Sequence, residues 1–363
     1  MVQAGRRLIF FFDGSSNRAA GSTDTIPTNV FRLNRAITCG RGDSPQINFY
    51  FAGVGTRRDS LSSITGRGFD EIVIEAYVNL ASNYMPGDQI YLFGFSRGAA
   101  AARALSGMIT NPGLLLTANF HSFPDLWKYF VTDPGEAKRE QLRSKLRPLV
   151  NPAAKVKFLG AFDTVAGSSW DKKCLFTKVR FPNLHLDRCV DAAVQILAID
   201  DDRNPSFSPL LWDGLSKART DQKLEQIWMP GVHGDIGGSS DGRFLCHLAL
   251  LTMVERAKTY CPELEWNDSY LKEVWNELRR TCPRPEITNE RSDFLDKWFL
   301  FRGARSIGGN EKEFVHPVFK LLADREFTIR GIRQRYNPTN YNPLPVLGTT
   351  LDAEIAEICS WKQ

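Results

Sequence analysis

The sequence predicts an α/β fold: a mostly parallel central sheet with helices on both faces, a helical insertion and a helical C-terminal layer. Three observations predict it. Short apolar runs alternate with longer helical patterns through the first 261 residues. One of those runs, Gln89–Phe95, passes through a glycine-flanked serine straight into an alanine-rich helical stretch. The apolar fraction of 42% and charged fraction of 24% are those of a folded soluble chain.

The predicted strands, in order, are Arg7–Phe12, Gln46–Phe51, Gln89–Phe95, Val156–Phe162, Ala193–Ile199 and Glu225–Met229. Each is rich in Ile, Val, Leu or Phe and bounded by Gly, Asp, Asn or Pro, as strands buried on both faces are. Predicted helices lie between them at Thr28–Thr38, Phe69–Tyr84, Arg97–Ile109 and Phe244–Tyr260. Residues 111–152 interrupt the alternation and read as a helical insertion with exposed Leu, Phe and Trp. After Pro262 the pattern is helix and loop, with no central strand expected. We therefore divide the chain into a catalytic core over 1–261, carrying the insertion at 111–152, and an extension over 262–363 packed on that core.

The net charge of +5 is small for 363 residues, and no dense Lys/Arg run or aromatic platform accompanies it, so nucleic-acid binding is not expected. The seven Cys are odd in number and lack C-x-x-C spacing, which argues against a disulfide framework and a zinc site. They read as reduced thiols. The apolar run from Leu8 to Phe12 is too short for a signal peptide or a membrane span. The expected location is cytoplasmic, or exported without a cleaved signal, with no transmembrane segment.

Gly94-Phe95-Ser96-Arg97-Gly98 has the form G-x-S-x-G. A serine on a sharp strand-to-helix turn sits in strained backbone, and Gly94 and Gly98 leave the room it needs. The turn would present Ser96 at a helix N-terminus, where unpaired N–H groups favour an oxyanion. The arrangement resembles the nucleophile elbow of the α/β-hydrolases.

An alkyl hydroxyl needs a base. Of the five His, 121 lies in the insertion, 185 in a polar loop, 247 within an amphipathic helix and 316 far down the tail. His233 lies in Pro230-Gly231-Val232-His233-Gly234-Asp235-Ile236-Gly237-Gly238, just past the last core strand, and is the expected base. Two positions suit the acid that orients it. Asp163 stands alone at the end of one strand; Asp200 begins a run of three Asp at the end of the next. We favour Asp163 and keep Asp200 as the alternative. At least two of Asp200, Asp201 and Asp202 are expected to be solvated or capping.

The loop after the first strand, Asp13-Gly14-Ser15-Ser16-Asn17, is placed to complete an oxyanion hole. One donor is the N–H of Arg97, and the second comes from Gly14 or Ser15. Asp13 and Asp235 are read as supporting residues that tie down loops. No metal and no cofactor are expected, since nothing fixes a ligand set.

The segments FFDGSSN, TNVFRL, AGVGT, PGDQIYLFGFSRGAAAARALSGMI, FDTVAG, AIDDDR, PGVHGDIGG, HPVFKLL and YNPTNYNPLP together resemble the Tle1-like (DUF2235) α/β-hydrolase family. That family includes the catalytic domain of type VI secretion phospholipase effectors. The resemblance implies a Ser–Asp–His hydrolase with Ser96, Asp163 and His233, and ester or lipid substrates with peripheral membrane contact. The sequence departs from the family pattern at Ser15-Ser16 and Ala100, and no membrane-targeting module is expected in it. The expected function is carboxylic ester cleavage through an acyl-enzyme. The alternatives are an amidase or thioesterase with the same triad, and a non-catalytic binding protein on the same fold.

Overall fold

A computed structural model describes residues 5–15, 17, 27–40, 44–53, 68–165, 177–181, 184–203, 207–240, 243–282, 285–289, 303–338 and 344–348. Parts of the AGVGT, FDTVAG and YNPTNYNPLP segments lie outside them.

Among the described residues the central sheet has seven strands: β1 (Arg7–Phe12), β2 (Gln46–Phe51), β3 (Gln89–Phe95), β6 (Val156–Phe162), β7 (Val190–Ala198), β8 (Lys223–Met229) and β10 (Glu313–Val315). Their spatial order is β10-β8-β7-β6-β3-β1-β2, and every neighbouring pair is parallel. Alternate residues serve opposite faces. Ile9 and Phe11 of β1 enter one core, while Leu8, Phe10 and Phe12 enter the other. Both faces of β1, β3 and β6 are buried, which is why these strands read as largely apolar runs.

On one face lie α2 (Phe69–Asn83) and α3 (Arg97–Thr110). On the other lie α1 (Asn29–Ala36), α7 (Arg243–Tyr260) and α8 (Asp268–Thr281). Thr28 caps α1 by accepting the Phe31 N–H at 3.2 Å. α7 is not the amphipathic helix the sequence suggests. It is buried from Phe244 to Val254, because α8 packs over the side that would otherwise face water.

The insertion is closed at its base by a two-stranded antiparallel ribbon, β4 (Leu114–Leu115) with β5 (Val150–Asn151). It carries α4 (Phe123–Val131) and α5 (Ala137–Leu146). Its apolar residues are not exposed as a group. Leu114, Leu115, Leu126, Tyr129 and Leu146 are buried, and Phe120, Phe123, Trp127 and Phe130 pack half-buried against them. Leu116 is the exception, at 46% exposure.

The tail also departs from expectation: it contributes a central strand. β10 is three residues long and pairs with β8 on one side, so it carries almost no periodic signal. Glu313 of β10 is buried and accepts the indole N–H of Trp228 at 2.7 Å and the backbone N–H of Gly309 at 2.9 Å. A second small sheet, β12-β11-β9, joins Ile332–Arg335, Glu326–Ile329 and Glu286–Ile287.

Replacing Glu313 by Ala strips the buried Trp228 indole of its acceptor. The expected cost is about 1–3 kcal/mol, read as a lower urea midpoint by tryptophan fluorescence. Glu313→Gln retains an acceptor and is expected to lose less.

Candidate active site

β3 ends at Phe95 and α3 begins at Arg97, so the chain reverses at Ser96. Ser96 pays for that turn with φ 57° and ψ −127°, backbone that L-residues seldom adopt. The flanking glycines are sterically required. A Cβ at Gly94 would lie 2.6 Å from the Ala99 Cα, and one at Gly98 would lie 2.3 Å from the Phe12 carbonyl oxygen.

His233 opens a single helical turn, α6 (His233–Gly237), reached from β8 through Pro230 and Gly231. Its Nε2 lies 2.9 Å from Ser96 Oγ, and its Nδ1 lies 2.5 Å from Asp163 Oδ2. An ionised carboxylate only accepts, so Nδ1 carries the proton and Nε2 is left to accept from the serine hydroxyl. The Phe95 ring lies 4.7 Å from the imidazole and the Phe207 ring meets it edge-on at 5.1 Å, fixing its plane. Ser96, His233 and Asp163 are all buried. Burial lowers the imidazole pKa below its ordinary value, outweighing the opposite pull of Asp163.

Asp163 sits just past β6 with φ 42°, a second strained position at the same sheet edge. Its Oδ1 accepts the Ala198 N–H at 3.1 Å. The guanidinium of Arg305 donates to Oδ1 at 2.6 Å and to Oδ2 at 2.9 Å. Burial alone would raise this carboxyl. The Arg305 charge and the His233 hydrogen bond reverse that and bring it down to about 2. Arg305 was not singled out from the sequence: an arginine between small residues in a tail carries no local signature.

Asp200 is held elsewhere. It accepts the Gly231 N–H at 2.7 Å and the Tyr336 hydroxyl at 3.0 Å, and burial pushes it up to about 7. Asp201 is buried, accepts the His233 backbone N–H at 3.2 Å and pairs with Arg203 at 2.6 Å. Asp202 pairs with Arg330 at 3.2 Å. The three acids thus all have partners; at least two were expected to be solvated or capping, and Asp201 does accept the N–H that opens the His233 turn. The partners that permit this are one nearby arginine and two residues of the tail.

Asp13 is buried and accepts from Tyr50 Oη at 2.5 Å and from the Gly14 N–H at 2.7 Å. The Gly14 N–H, expected as an oxyanion donor, is therefore taken by its neighbour's side chain. Asp235 accepts the Val232 N–H at 3.0 Å and the hydroxyls of Ser240 and Thr288 at 2.5 Å. It braces the turn that carries His233. Among the described residues no group of three metal-binding side chains occurs.

Of the histidines, His233 is the one whose ring is placed against Ser96. His316 is buried between Thr252 Oγ1, at 3.1 Å, and the Val318 N–H, also at 3.1 Å. Arg97 is half-buried, and among the described residues it makes no ion pair; burial lowers its pKa to about 10. A cavity of about 610 Å³ opens on the flank of α3, lined by Arg103, Gly107, Tyr129, Phe130 and Trp212 among others. Ser96, Asp163 and His233 do not line it.

Residues 6–256 match the family model for the catalytic domain of Tle1-like phospholipase effectors of type VI secretion. A relative in Saccharomyces cerevisiae, the uncharacterized protein YEL023C, is 28% identical over 214 residues, covering 52% of this chain and 31% of that protein. The chain thus spans well under two thirds of that relative's length. Among solved structures, an uncharacterized protein from Pseudomonas aeruginosa aligns with a TM-score of 0.43 at 17% identity, over 76% of this chain and 48% of the other. The Tle1 effector bound to the VgrG spike of the type VI secretion system aligns at 0.38 and 22% identity, over 66% of this chain and 51% of that one. YbtT, a type II thioesterase of yersiniabactin biosynthesis, aligns at 0.33 and 11% identity, over 73% and 96%.

Gly98→Ala sets a methyl group against the Phe12 and Asp13 carbonyls, at 2.3 and 2.4 Å in the present backbone. The expected penalty is about 1–3 kcal/mol, measured as a lower thermal midpoint by circular dichroism. A midpoint equal to wild type would contradict the close approach at the elbow.

Proposed function

Since this chain belongs to the Tle1-like catalytic-domain family, we propose that it is a serine hydrolase cleaving carboxylic esters through an acyl-enzyme, with phospholipid esters as its substrate class. The observation that carries the proposal is the unbroken hydrogen-bond chain from Ser96 Oγ through the His233 ring to Asp163. In the reaction Ser96 Oγ attacks the ester carbonyl as His233 Nε2 takes its proton. The same imidazolium then returns that proton to the departing alkoxide, leaving an acyl-serine. Water repeats the sequence to release the acid and restore Ser96. Asp163 fixes the ring's tautomer and offsets its transient charge.

The oxyanion donors are the N–H groups of Arg97 and Ser15. Gly14, whose N–H is occupied by Asp13, is left out of that role. The phospholipid reading draws on the family and on Arg97, a cation next to the nucleophile without a carboxylate partner among the described residues. Such a charge suits a phosphodiester headgroup. The insertion gives little support to a lipid, since most of its apolar residues pack into the core on the α2–α3 side of the sheet. Action on a bilayer would be peripheral: among the described residues no helix is long and apolar enough to cross a membrane.

Wild-type protein is expected to react with a fluorophosphonate probe, and Ser96→Ala is expected not to. Absence of labelling in well-folded wild type would support a binding protein instead. Ser96→Ala and His233→Ala are expected to lose about 10⁴-fold or more in ester turnover. A panel of phospholipids, soluble esters, thioesters and amides ranks the substrate classes.

The pH dependence has a definite sign. Only the neutral imidazole accepts the serine proton, and burial lowers its pKa below that of a free imidazole. The labelling rate is therefore expected to rise with pH through a midpoint below 6.5 and to level off above it. A midpoint above 7 would contradict that environment for His233.

A further inference from the structure

We propose that Arg305 is a positioning residue for the Asp163–His233 pair, so that the site is completed by a segment outside the matched catalytic domain. The match ends at residue 256, and Arg305 lies well beyond it. The inference rests on the serine-hydrolase reading and adds a part to it.

The geometry is that of a clamp. The guanidinium side chain is 1% exposed. It bonds both oxygens of Asp163, at 2.6 and 2.9 Å, in a fork that matches a carboxylate. Two further bonds anchor the fork itself, to the Ala198 carbonyl at 2.9 Å and to the Phe207 carbonyl at 2.8 Å. Ala198 ends β7, and the Phe207 ring lies against His233. The clamp therefore joins the acid to two of the pieces of backbone that surround the base. With both oxygens held, the carboxylate cannot rotate away from Nδ1.

The charge matters as well as the bonds. A buried ion pair adds little to stability over an apolar filling of the same shape, so stability alone is a weak reason for one here. What the guanidinium does is offset the Asp163 charge. A bare buried carboxylate 2.5 Å from Nδ1 would hold the imidazole protonated to a higher pH. With Arg305 behind it, Asp163 orients the ring and still leaves Nε2 free to accept. Among the described residues, the other charged groups that act on His233 are Arg203 and Asp201, which pull in opposite directions; Asp201 accepts the His233 backbone N–H at 3.2 Å and pairs with Arg203 at 2.6 Å.

The tail does the same along the whole edge. Thr288 bonds Asp235, Arg330 pairs with Asp202, and Tyr336 bonds Asp200. Each of these acids stands after β6, β7 or β8, where the site forms.

The test is a titration of the full chain labelled with [¹³C]histidine, in which the His233 signal is identified by its loss in His233→Gln. In Arg305→Met the His233 midpoint is expected to rise by about one pH unit or more, a tenfold shift in proton affinity. Arg305→Lys keeps the charge but not the fork, so the midpoint is expected to stay near wild type while the fluorophosphonate labelling rate falls roughly tenfold. An unmoved midpoint in folded Arg305→Met overturns the proposal. If that variant does not fold, Arg305→Lys decides: a fall in labelling rate at an unchanged midpoint supports positioning, and an unchanged rate overturns it. If wild type neither labels nor turns over esters, the hydrolase reading fails, and the titration still decides the effect of Arg305 on His233.

Discussion

A carboxylate that is wholly buried gives up its charge unless something nearby compensates it. Asp163 is 0% exposed and yet stays ionised, because a guanidinium binds both of its oxygens and an imidazole N–H binds one. The arrangement at Ser96 follows from that. An ionised Asp163 sets the His233 tautomer, the tautomer leaves Nε2 bare, and bare Nε2 is what the serine hydroxyl meets at 2.9 Å. A neutral Asp163 could donate to Nδ1 and reverse the order.

Steric constraint supplies the other half. Ser96 and Asp163 both have positive φ, at 57° and 42°, and both follow the last residue of a sheet strand. The strain is held in place by the strands beneath. Phe95 and Phe162 are paired in register between β3 and β6, and the Ser96 N–H donates to the Phe162 carbonyl at 3.0 Å. The nucleophile and the acid are thus tied through adjacent backbone before any side chain meets. His233 comes from β8, and Asp235 braces its short turn.

The parts of this design differed in how plainly the sequence carried them. β1, β3 and β6 fall where their apolar runs predict, since burial on both faces demands a nearly uninterrupted run, and the half-buried edge strand β2 also falls at its expected bounds. The elbow was legible because its strain demands glycine at fixed offsets. β7 and β8 begin earlier than expected, at Val190 and Lys223, where polar residues break the run. β10 was missed because three residues on an edge have no period to detect. Arg305 was missed for a different reason. Its role exists only in three dimensions, across 142 positions from Asp163, and no local pattern announces a bond of that reach.

The same distinction bears on substrate. Chemistry at Ser96 depends on strain, tautomer and charge, which leave traces in short motifs. Selectivity depends on the shape and charge of what surrounds the nucleophile, and a fold leaves that open. The insertion illustrates the difference. Its Leu and aromatic residues form a sequence pattern that serves plain core or an acyl pocket alike, and most of them pack into the core on the α2–α3 side of the sheet. Arg97 follows the nucleophile directly, is half-buried and makes no ion pair among the described residues. On the proposed reading, a substrate that brings its own anion to that guanidinium gains binding energy close to the reacting ester. Among the described residues, that cation therefore argues for an anionic ester more strongly than the apolar residues of the insertion argue for a lipid tail.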